Sequence, residues 1–316
     1  MRLVVTRLTQ EAQDVLGVEL RARDGEMLPS FTAGAHVDVR LPGGICRQYS
    51  LANSPLERDR YVLGVGLAAA SRGGSAFMHQ CLAVGDCIEV SAPRALFAVA
   101  AEAAEHVFIA GGIGITPILS MIHWCEAQGC PWRLLYCVRT RARAAYAWTL
   151  ARHGERVRLH VDQEAGGAQP DLAAWLGNAA AGAHIYCCGP EGLMNAVSAQ
   201  AAQAGWPRAA IHFERFAATG ATASDDRAGS FKVVLLRSRK SISVRPDQSL
   251  LEALEDAGAA VPFSCRQGMC RSCEVPLLAG QADHRDFVLS DEERDAQTCI
   301  LPCVSRARSA ELVLDL

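Results

Sequence analysis

The chain has 316 residues, with 31 Lys+Arg against 34 Asp+Glu for a net charge of −3. That near balance excludes the basic excess expected of a nucleic-acid binder. Half of the residues are hydrophobic and 21% are charged, which excludes a disordered chain, and at roughly 150 residues per domain the length implies two or three domains. The longest uncharged stretches, 107–122 and 172–190, are interrupted by glycines and neither reads as a membrane span. The first residues, MRLVVTRLTQEAQ, hold no apolar run long enough for an export signal. A cytoplasmic protein without membrane segments is expected.

Residues 1–100 alternate short β-rich runs (LVVTRL, VLGVELRA, HVDVRL, QYSLANS, YVLGVG, CIEVSAP) with turn signals such as LPGG. Six short strands without a long amphipathic helix between them predict an antiparallel barrel. The rhythm changes near residue 105. HVFIA, RLLYCV, VRLHV, HIYCCG and AIHFERF alternate with helical patterns after Gly114, near 142–152, from Asp171 and over 192–204. Near-continuous apolar strands alternating with helices predict a parallel sheet covered on both faces, over 101–217. Residues 218–230 are small and polar and read as a linker. In 231–316, FKVVLL and SISV predict a hairpin. Ser249-Leu-Leu-Glu252 is a capping box opening a short helix that Gly258 ends.

The chain has 13 cysteines, an odd number, and lacks an export signal, which argues against a disulfide framework. Eight are scattered through the first 190 positions, and most of these read as small buried hydrophobes. The other five, Cys265, Cys270, Cys273, Cys299 and Cys303, crowd into 39 positions. Cys265-Arg-Gln-Gly-Met-Cys270-Arg-Ser-Cys273 has the C-x4-C-x2-C spacing of plant-type [2Fe–2S] sites, in which Gly268 admits the close approach or positive φ of the loop. Zinc sites use pairs of C-x-x-C or histidine knuckles instead. Spacing alone leaves the fourth ligand open between Cys299 and Cys303.

Two further motif groups concern a flavin and a nucleotide. Arg47-Gln-Tyr49-Ser50 opens a barrel strand, and Ser71-Arg72-Gly73-Gly74-Ser75 could hold a phosphate in a backbone nest. Gly111-Gly112-Ile-Gly114-Ile-Thr116-Pro117 follows a strand and opens a helix. It departs from the G-x-G-x-x-G fingerprint but offers glycines and a helix N-terminus to a pyrophosphate. Cys188-Gly189-Pro190 ends a later parallel strand.

Together these motifs resemble the ferredoxin–NADP reductase superfamily, and their order over the whole chain resembles the phthalate dioxygenase reductase family, which includes vanillate demethylase-type reductases. The resemblance implies an antiparallel flavin-binding β-barrel, a parallel-sheet α/β nucleotide domain and a C-terminal β-grasp ferredoxin domain. It implies that Tyr49 packs on FMN, Ser50 bonds near its reactive nitrogen, and Arg47 with Gly73, Gly74 and Ser75 holds its phosphate. The main chain of 63–67, with Val65, Gly66 and Leu67, would line the ring edge. Gly111, Gly112, Gly114, Thr116, Pro117, Cys188, Gly189 and Pro190 would bind NADH, with Thr116 and Cys188 placing the nicotinamide and Phe216 covering the flavin. Its ferredoxins match the 30 positions from Cys273 to Cys303, which makes Cys303 the fourth ligand.

The function implied is transfer of electrons from NADH through FMN and the cluster to a Rieske-type oxygenase, by a monomer. Arg139, Arg141 and Arg143 follow the second strand, where a 2′-phosphate would be read, and leave NADPH open. The alternatives are a redox-sensing metal-binding regulator and a stand-alone flavin reductase. Six acids at 283–295 (Asp283, Asp286, Asp291, Glu292, Glu293 and Asp295) are expected either to be a solvated face or to steer a basic partner.

Overall fold

The computed structural model describes residues 1–69, 71, 73–216 and 229–316. Arg72 and most of the expected linker, 217–228, lie outside the described residues. The chain divides into two compact units, Met1–Arg215 and Phe216–Leu316.

In the first unit, β1 (Arg2–Ala12), β2 (Val15–Arg21), β3 (His36–Leu41), β4 (Ile45–Ser50), β5 (Tyr61–Gly66) and β6 (Cys87–Val90) form one antiparallel sheet in the order β4-β3-β6-β1-β2-β5. Alternate residues point inward with the period of two that a strand imposes: Leu3 and Val5, Val18 and Leu20, Val37 and Val39, Leu63 and Val65 share one core. The outer strands close on each other through the Leu51–Leu63 bridge and the Ala52 amide donating to the Val62 carbonyl. The six expected strands therefore make the expected barrel. A short helix, α1 (Gly74–Gln80), follows β5 and was not signalled by any amphipathic pattern.

The rest of this unit is α/β. Strands β7 (Glu105–Gly111), β8 (Trp132–Val138), β9 (Val157–Val161), β10 (Ala183–Cys188) and β11 (Ile211–Glu214) pair in parallel in the order β11-β10-β7-β8-β9. Phe108, Ala110 and Tyr186 face one apolar layer, and Val107, Ile109 and Ile185 face another. Burial on both faces explains the near-continuous apolar strands. The helices are α2 (Ile115–Gln128), α3 (Ala147–Ala151), α4 (Leu172–Leu176) and α5 (Glu191–Gln203). The helix expected over 142–152 is cut to a 3-10 turn at Arg141–Arg143 plus α3, because Tyr146 sits at φ 58° between them. Strand order reverses between β7 and β10. That reversal opens a crevice at the carboxyl ends of the strands.

The second unit holds β12 (Phe231–Leu235), β13 (Lys240–Val244), α6 (Leu250–Asp256), β14 (Val275–Ala279), β15 (Ala282–Asp283), α7 (Asp291–Ala296), β16 (Cys299–Ile300), β17 (Arg306–Ala307) and β18 (Glu311–Leu314). The main sheet runs β13-β12-β18-β14-β16, with β12 and β18 parallel. The expected hairpin and the Ser249/Glu252 capping box are both present. Leu250, Leu251 and Leu254 of α6 pack with Val233, Leu312 and Leu314 of the sheet, the grasp of a ferredoxin module. Among the described residues no helix is long and apolar enough to cross a membrane.

Candidate functional site: a four-thiol loop and a flavin–nucleotide cleft

Between α6 and β14, the chain over 265–273 folds as a loop that regular structure could not supply. Arg266, Gly268 and Arg271 all have positive φ (54°, 69° and 55°). Gly268 also has no room for a side chain: a Cβ there would strike Val304 and the Asp286 backbone. Its two constraints, left-handed backbone and close approach, are those the sequence suggested. The thiols of Cys265 and Cys270 hydrogen-bond each other, and so do those of Cys273 and Cys303. The four thiols form two pairs, not one group around a single metal position.

Two pairs fit a two-iron cluster, one pair per iron, and the cysteine-only donor set suits iron–sulfur chemistry. Backbone amides supply the outer shell. The Gln267 and Met269 amides donate to the Cys265 sulfur, the first at 3.3 Å, and the Gly268 amide donates to Cys303. Such donors stabilise thiolate charge and tune potential. Cys299 stands apart: its thiol is raised to about 11 by burial, with Glu274 and Arg271 beside it. Gly268→Ala is expected to cost about 1–3 kcal/mol from strain and overpacking and to purify with sub-stoichiometric iron, read by iron and sulfide analysis per chain.

Part of the acidic run is taken up inside the second unit. The Asp286 carboxylate is fully buried and accepts the Val288 and Leu289 amides at 3.1 and 2.8 Å. The Gly268 carbonyl accepts the next amide, that of Phe287, at 3.0 Å. Glu293 closes a capping box with Ser290 and also pairs with Arg271 of the cluster loop at 2.7 Å. Asp283 pairs with Arg285 at 2.7 Å. Two of the six acids, Asp286 and Glu293, thus brace the thiol loop from behind, and neutralising Glu293 would break a helix cap as well as a charge.

In the first unit the two halves of the flavin motif meet. Gly73 has φ 86°, and the aliphatic and guanidinium atoms of Arg47 lie against Gly74, where a Cβ would collide with them. A basic side chain and two glycines converge at the start of α1, which fits a phosphate monoester. Ser75 Oγ accepts from the Ala68 amide at 3.2 Å and donates to Ser71 Oγ at 3.0 Å, which tightens the same turn. Tyr49 is half-buried, and burial pushes its phenol up to about 12. Of the ring-edge groups, the Val65 carbonyl is already taken by His79 of α1 at 2.8 Å and the Leu67 amide donates to Asp14 at 2.8 Å. Gly66 abuts Ile113.

Ser50 is buried and donates to the Glu214 carboxylate at 3.4 Å, a bond that joins the barrel to the end of the parallel sheet. Sequence reasoning missed Glu214. It keeps part of its surface accessible, yet burial pushes its carboxyl up to about 8, an effect the Ser50 hydroxyl partly offsets. Cys188 is its register partner on β10. Burial, and then the neighbouring Glu214, hold that thiol well above its usual range.

The glycine turn closes the wall. Gly114 lies against the Cys188 carbonyl, and Gly111 packs on Gly189 and Pro190, so a side chain at either would part the strand ends. Gly112, at φ 54°, faces open space, the one glycine here with room above it for a ligand. Thr116 and Pro117 are buried in the first turn of α2. Thr116 donates to the Ile113 carbonyl at 3.0 Å and its methyl fills the space that Gly64 leaves on β5. That contact explains Gly64 in the glycine-rich strand Gly64-Val65-Gly66. Phe216 is 42% exposed and begins the second unit.

A barrel with a phosphate turn, a parallel sheet with a glycine turn at its reversal, and a four-thiol loop together define a flavin-dependent, iron–sulfur oxidoreductase. Comparisons with known proteins agree. A model of the 2Fe-2S iron-sulfur cluster binding domain matches residues 233–308, and one of the dimethylamine monooxygenase subunit DmmA-like N-terminal domain matches 88–211. The chain is 48% identical to phenoxybenzoate dioxygenase subunit beta of Ectopseudomonas oleovorans, over 96% of this chain and 94% of that protein. It is 41% identical to the vanillate O-demethylase oxidoreductase of a Pseudomonas strain, over 100% of both. It superposes on phthalate dioxygenase reductase, described as a modular structure for electron transfer from pyridine nucleotides to [2Fe–2S], with TM-score 0.74 and 40% identity over 100% of this chain and 98% of that one. The chain belongs to the phthalate dioxygenase reductase family. It is the reductase component of an oxygenase system, an oxidoreductase working with NADH, FMN and a [2Fe–2S] cluster.

Proposed function

We propose that the oxygenase served by this reductase is of the Rieske type, and that the chain acts in the cytoplasm as a monomer built of a flavin module (1–100), a nucleotide module (101–217), a linker (218–230) and a ferredoxin module (231–316). A bound flavin would supply the conversion of a hydride from NADH into single electrons, and a bound cluster would supply their onward transfer. The protein supplies binding, orientation and electrostatics. Arg47, Gly73, Gly74 and Ser75 hold the flavin phosphate, Tyr49 packs on the ring, and the main chain at Val65, Gly66 and Leu67 borders its edge. Gly111, Gly112 and Gly114 let the pyrophosphate approach the N-terminus of α2, where the helix dipole favours its charge. Thr116, Pro117, Cys188, Gly189 and Pro190 form the floor under the nicotinamide, and Phe216 is assigned the cover of the flavin face. Glu214 holds a proton at its carboxyl beside Ser50. Cys265, Cys270, Cys273 and Cys303 hold the cluster.

The observation that carries this reading is the presence in one chain of the flavin–nucleotide cleft and two thiol pairs. Deleting residues from 228 onward tests it. The shortened protein is expected to keep its NADH–ferricyanide activity within about twofold while reduction of cytochrome c and of a Rieske oxygenase falls to background, because hydride acceptance needs only the first unit. Equal cytochrome c rates with and without the second unit would make the chain a self-contained flavin reductase. A colourless, zinc-loaded full-length protein would make it a metal-binding regulator.

A further inference from the structure

The three arginines that follow β8 are placed unequally. Arg143 pairs with Asp14 of the barrel. Arg141 meets Glu164 in a two-point fork, Nε to Oε1 at 2.8 Å and Nη2 to Oε2 at 2.7 Å. Arg139 is exposed and makes no ion pair among the described residues. Glu164 comes from the loop after β9. That loop is laced to the one after β8 by the Asp162 amide on the Val138 carbonyl (2.9 Å) and the Gln163 amide on the Arg139 carbonyl (3.1 Å). Between them the Thr140 hydroxyl is buried with no hydrogen-bond partner among the described residues.

These loops stand at the carboxyl end of the strand next to β7. In a doubly wound sheet, a dinucleotide with its pyrophosphate on the first glycine turn lays its adenosine ribose at that end. There a carboxylate accepts from a ribose hydroxyl, or an arginine donates to a 2′-phosphate. This step rests on the assignment of Gly111, Gly112 and Gly114 as the pyrophosphate seat.

We propose that Glu164 is the residue that makes this reductase select NADH over NADPH, by occupying the Arg141 fork and presenting a carboxylate where the 2′-phosphate would arrive. The planar guanidinium binds carboxylate or phosphate through the same pair of parallel donors, so one ligand excludes the other. The local charge agrees: Arg139 and Arg141 are balanced by Asp162 and Glu164, and a phosphate dianion gains no net attraction. The Arg141–Glu164 pair is exposed, as a contact that ligand must reach has to be, and exposed pairs contribute little to folding. Removing it leaves the chain folded.

The test is calorimetric titration of the holoprotein with 5′-ADP and 2′,5′-ADP, on wild type, Glu164→Gln and the double variant Glu164→Gln/Arg141→Ala. Glu164→Gln is expected to tighten 2′,5′-ADP about tenfold, the size of one charge-assisted contact, and to leave 5′-ADP within about twofold. The double variant should lose the gain, and the ratio of kcat/KM for NADPH over NADH should follow the binding ratio. An unchanged 2′,5′-ADP affinity in Glu164→Gln, or a gain that survives loss of Arg141, overturns the proposal. Failure of 5′-ADP to bind wild type competitively with NADH would instead overturn the nucleotide seat on which it rests.

Discussion

Cys303→Ser is expected to yield a protein that retains its flavin but lacks the iron–sulfur absorption bands, with iron and sulfide at background. Cys299→Ser should retain both. The sequence offers the two cysteines four positions apart near the end of the second unit. The fold separates them completely. Cys303 lies in thiol contact with Cys273 and receives the Gly268 amide, so it completes the second of two pairs. Cys299 sits on β16 opposite Pro276 with its thiol toward Glu274 and Arg271. A serine at 303 would leave one iron position with a single thiolate, and a cluster that needs four thiolates does not persist on three. Because ligand binding is part of the folding energy of such modules, the Cys303 variant should also melt its second unit at lower temperature, while the first unit is unaffected. Iron and sulfide per chain, with the visible spectrum, decide the matter. A colourless Cys299 variant beside a coloured Cys303 variant would reverse the assignment.

What could be read beforehand follows from the range of the interactions. The barrel strands and the parallel strands announce themselves through local periodicity, and the cluster loop through fixed spacing, since its geometry depends on residues within nine positions of one another. The short helix α1 carries no such periodicity; it forms because the Gly73–Gly74 turn starts it and Phe77 and Met78 anchor it on the barrel core. The helix expected over 142–152 fails at Tyr146, whose left-handed backbone no composition rule signals. Of the eight scattered cysteines, Cys125, Cys137, Cys187 and Cys188 are buried as expected, but Cys81 is exposed in the turn after α1 and Cys87 is exposed at the start of β6.

The acids at 283–295 read as a surface because charge runs usually are one. Asp286 and Glu293 turn inward only because the amides after Asp286 and the guanidinium of Arg271 lie there to receive them. Glu214 was illegible for the same reason in stronger form. Its partner Ser50 is 164 positions away, and nothing in HFERF separates a buried acid from a solvated one.

That acid supplies the second large effect expected. The fold raises the Glu214 carboxyl from 4.5 to about 8. Below pH 4.5 the group is protonated whether the chain is folded or not, and it imposes no penalty. Between 4.5 and 8 the unfolded chain releases the proton while the fold retains it, so stability falls by about 1.4 kcal/mol for each pH unit. Above 8 the loss is complete. Its favourable contribution is thus fully present at acid pH and lost as the pH rises through about 8. Glu214→Gln keeps the shape and a hydrogen bond to Ser50 but cannot ionise, so it removes this dependence. Near pH 5 wild type and variant should differ by no more than about 0.8 kcal/mol for the first unit. At pH 8.5 the variant should be more stable by about 2–5 kcal/mol, the upper value being the full shift. The variant should also lose the proton that wild type holds beside Ser50 at neutral pH, so the pH profile of NADH–ferricyanide turnover, which should bend near 8 in wild type, becomes flat. Denaturant unfolding of both proteins at intervals from pH 5 to pH 9 gives the answer. Parallel stability curves across that range would mean that Glu214 is ionised throughout, and the proton assigned to the Ser50–Glu214 pair would have to be abandoned.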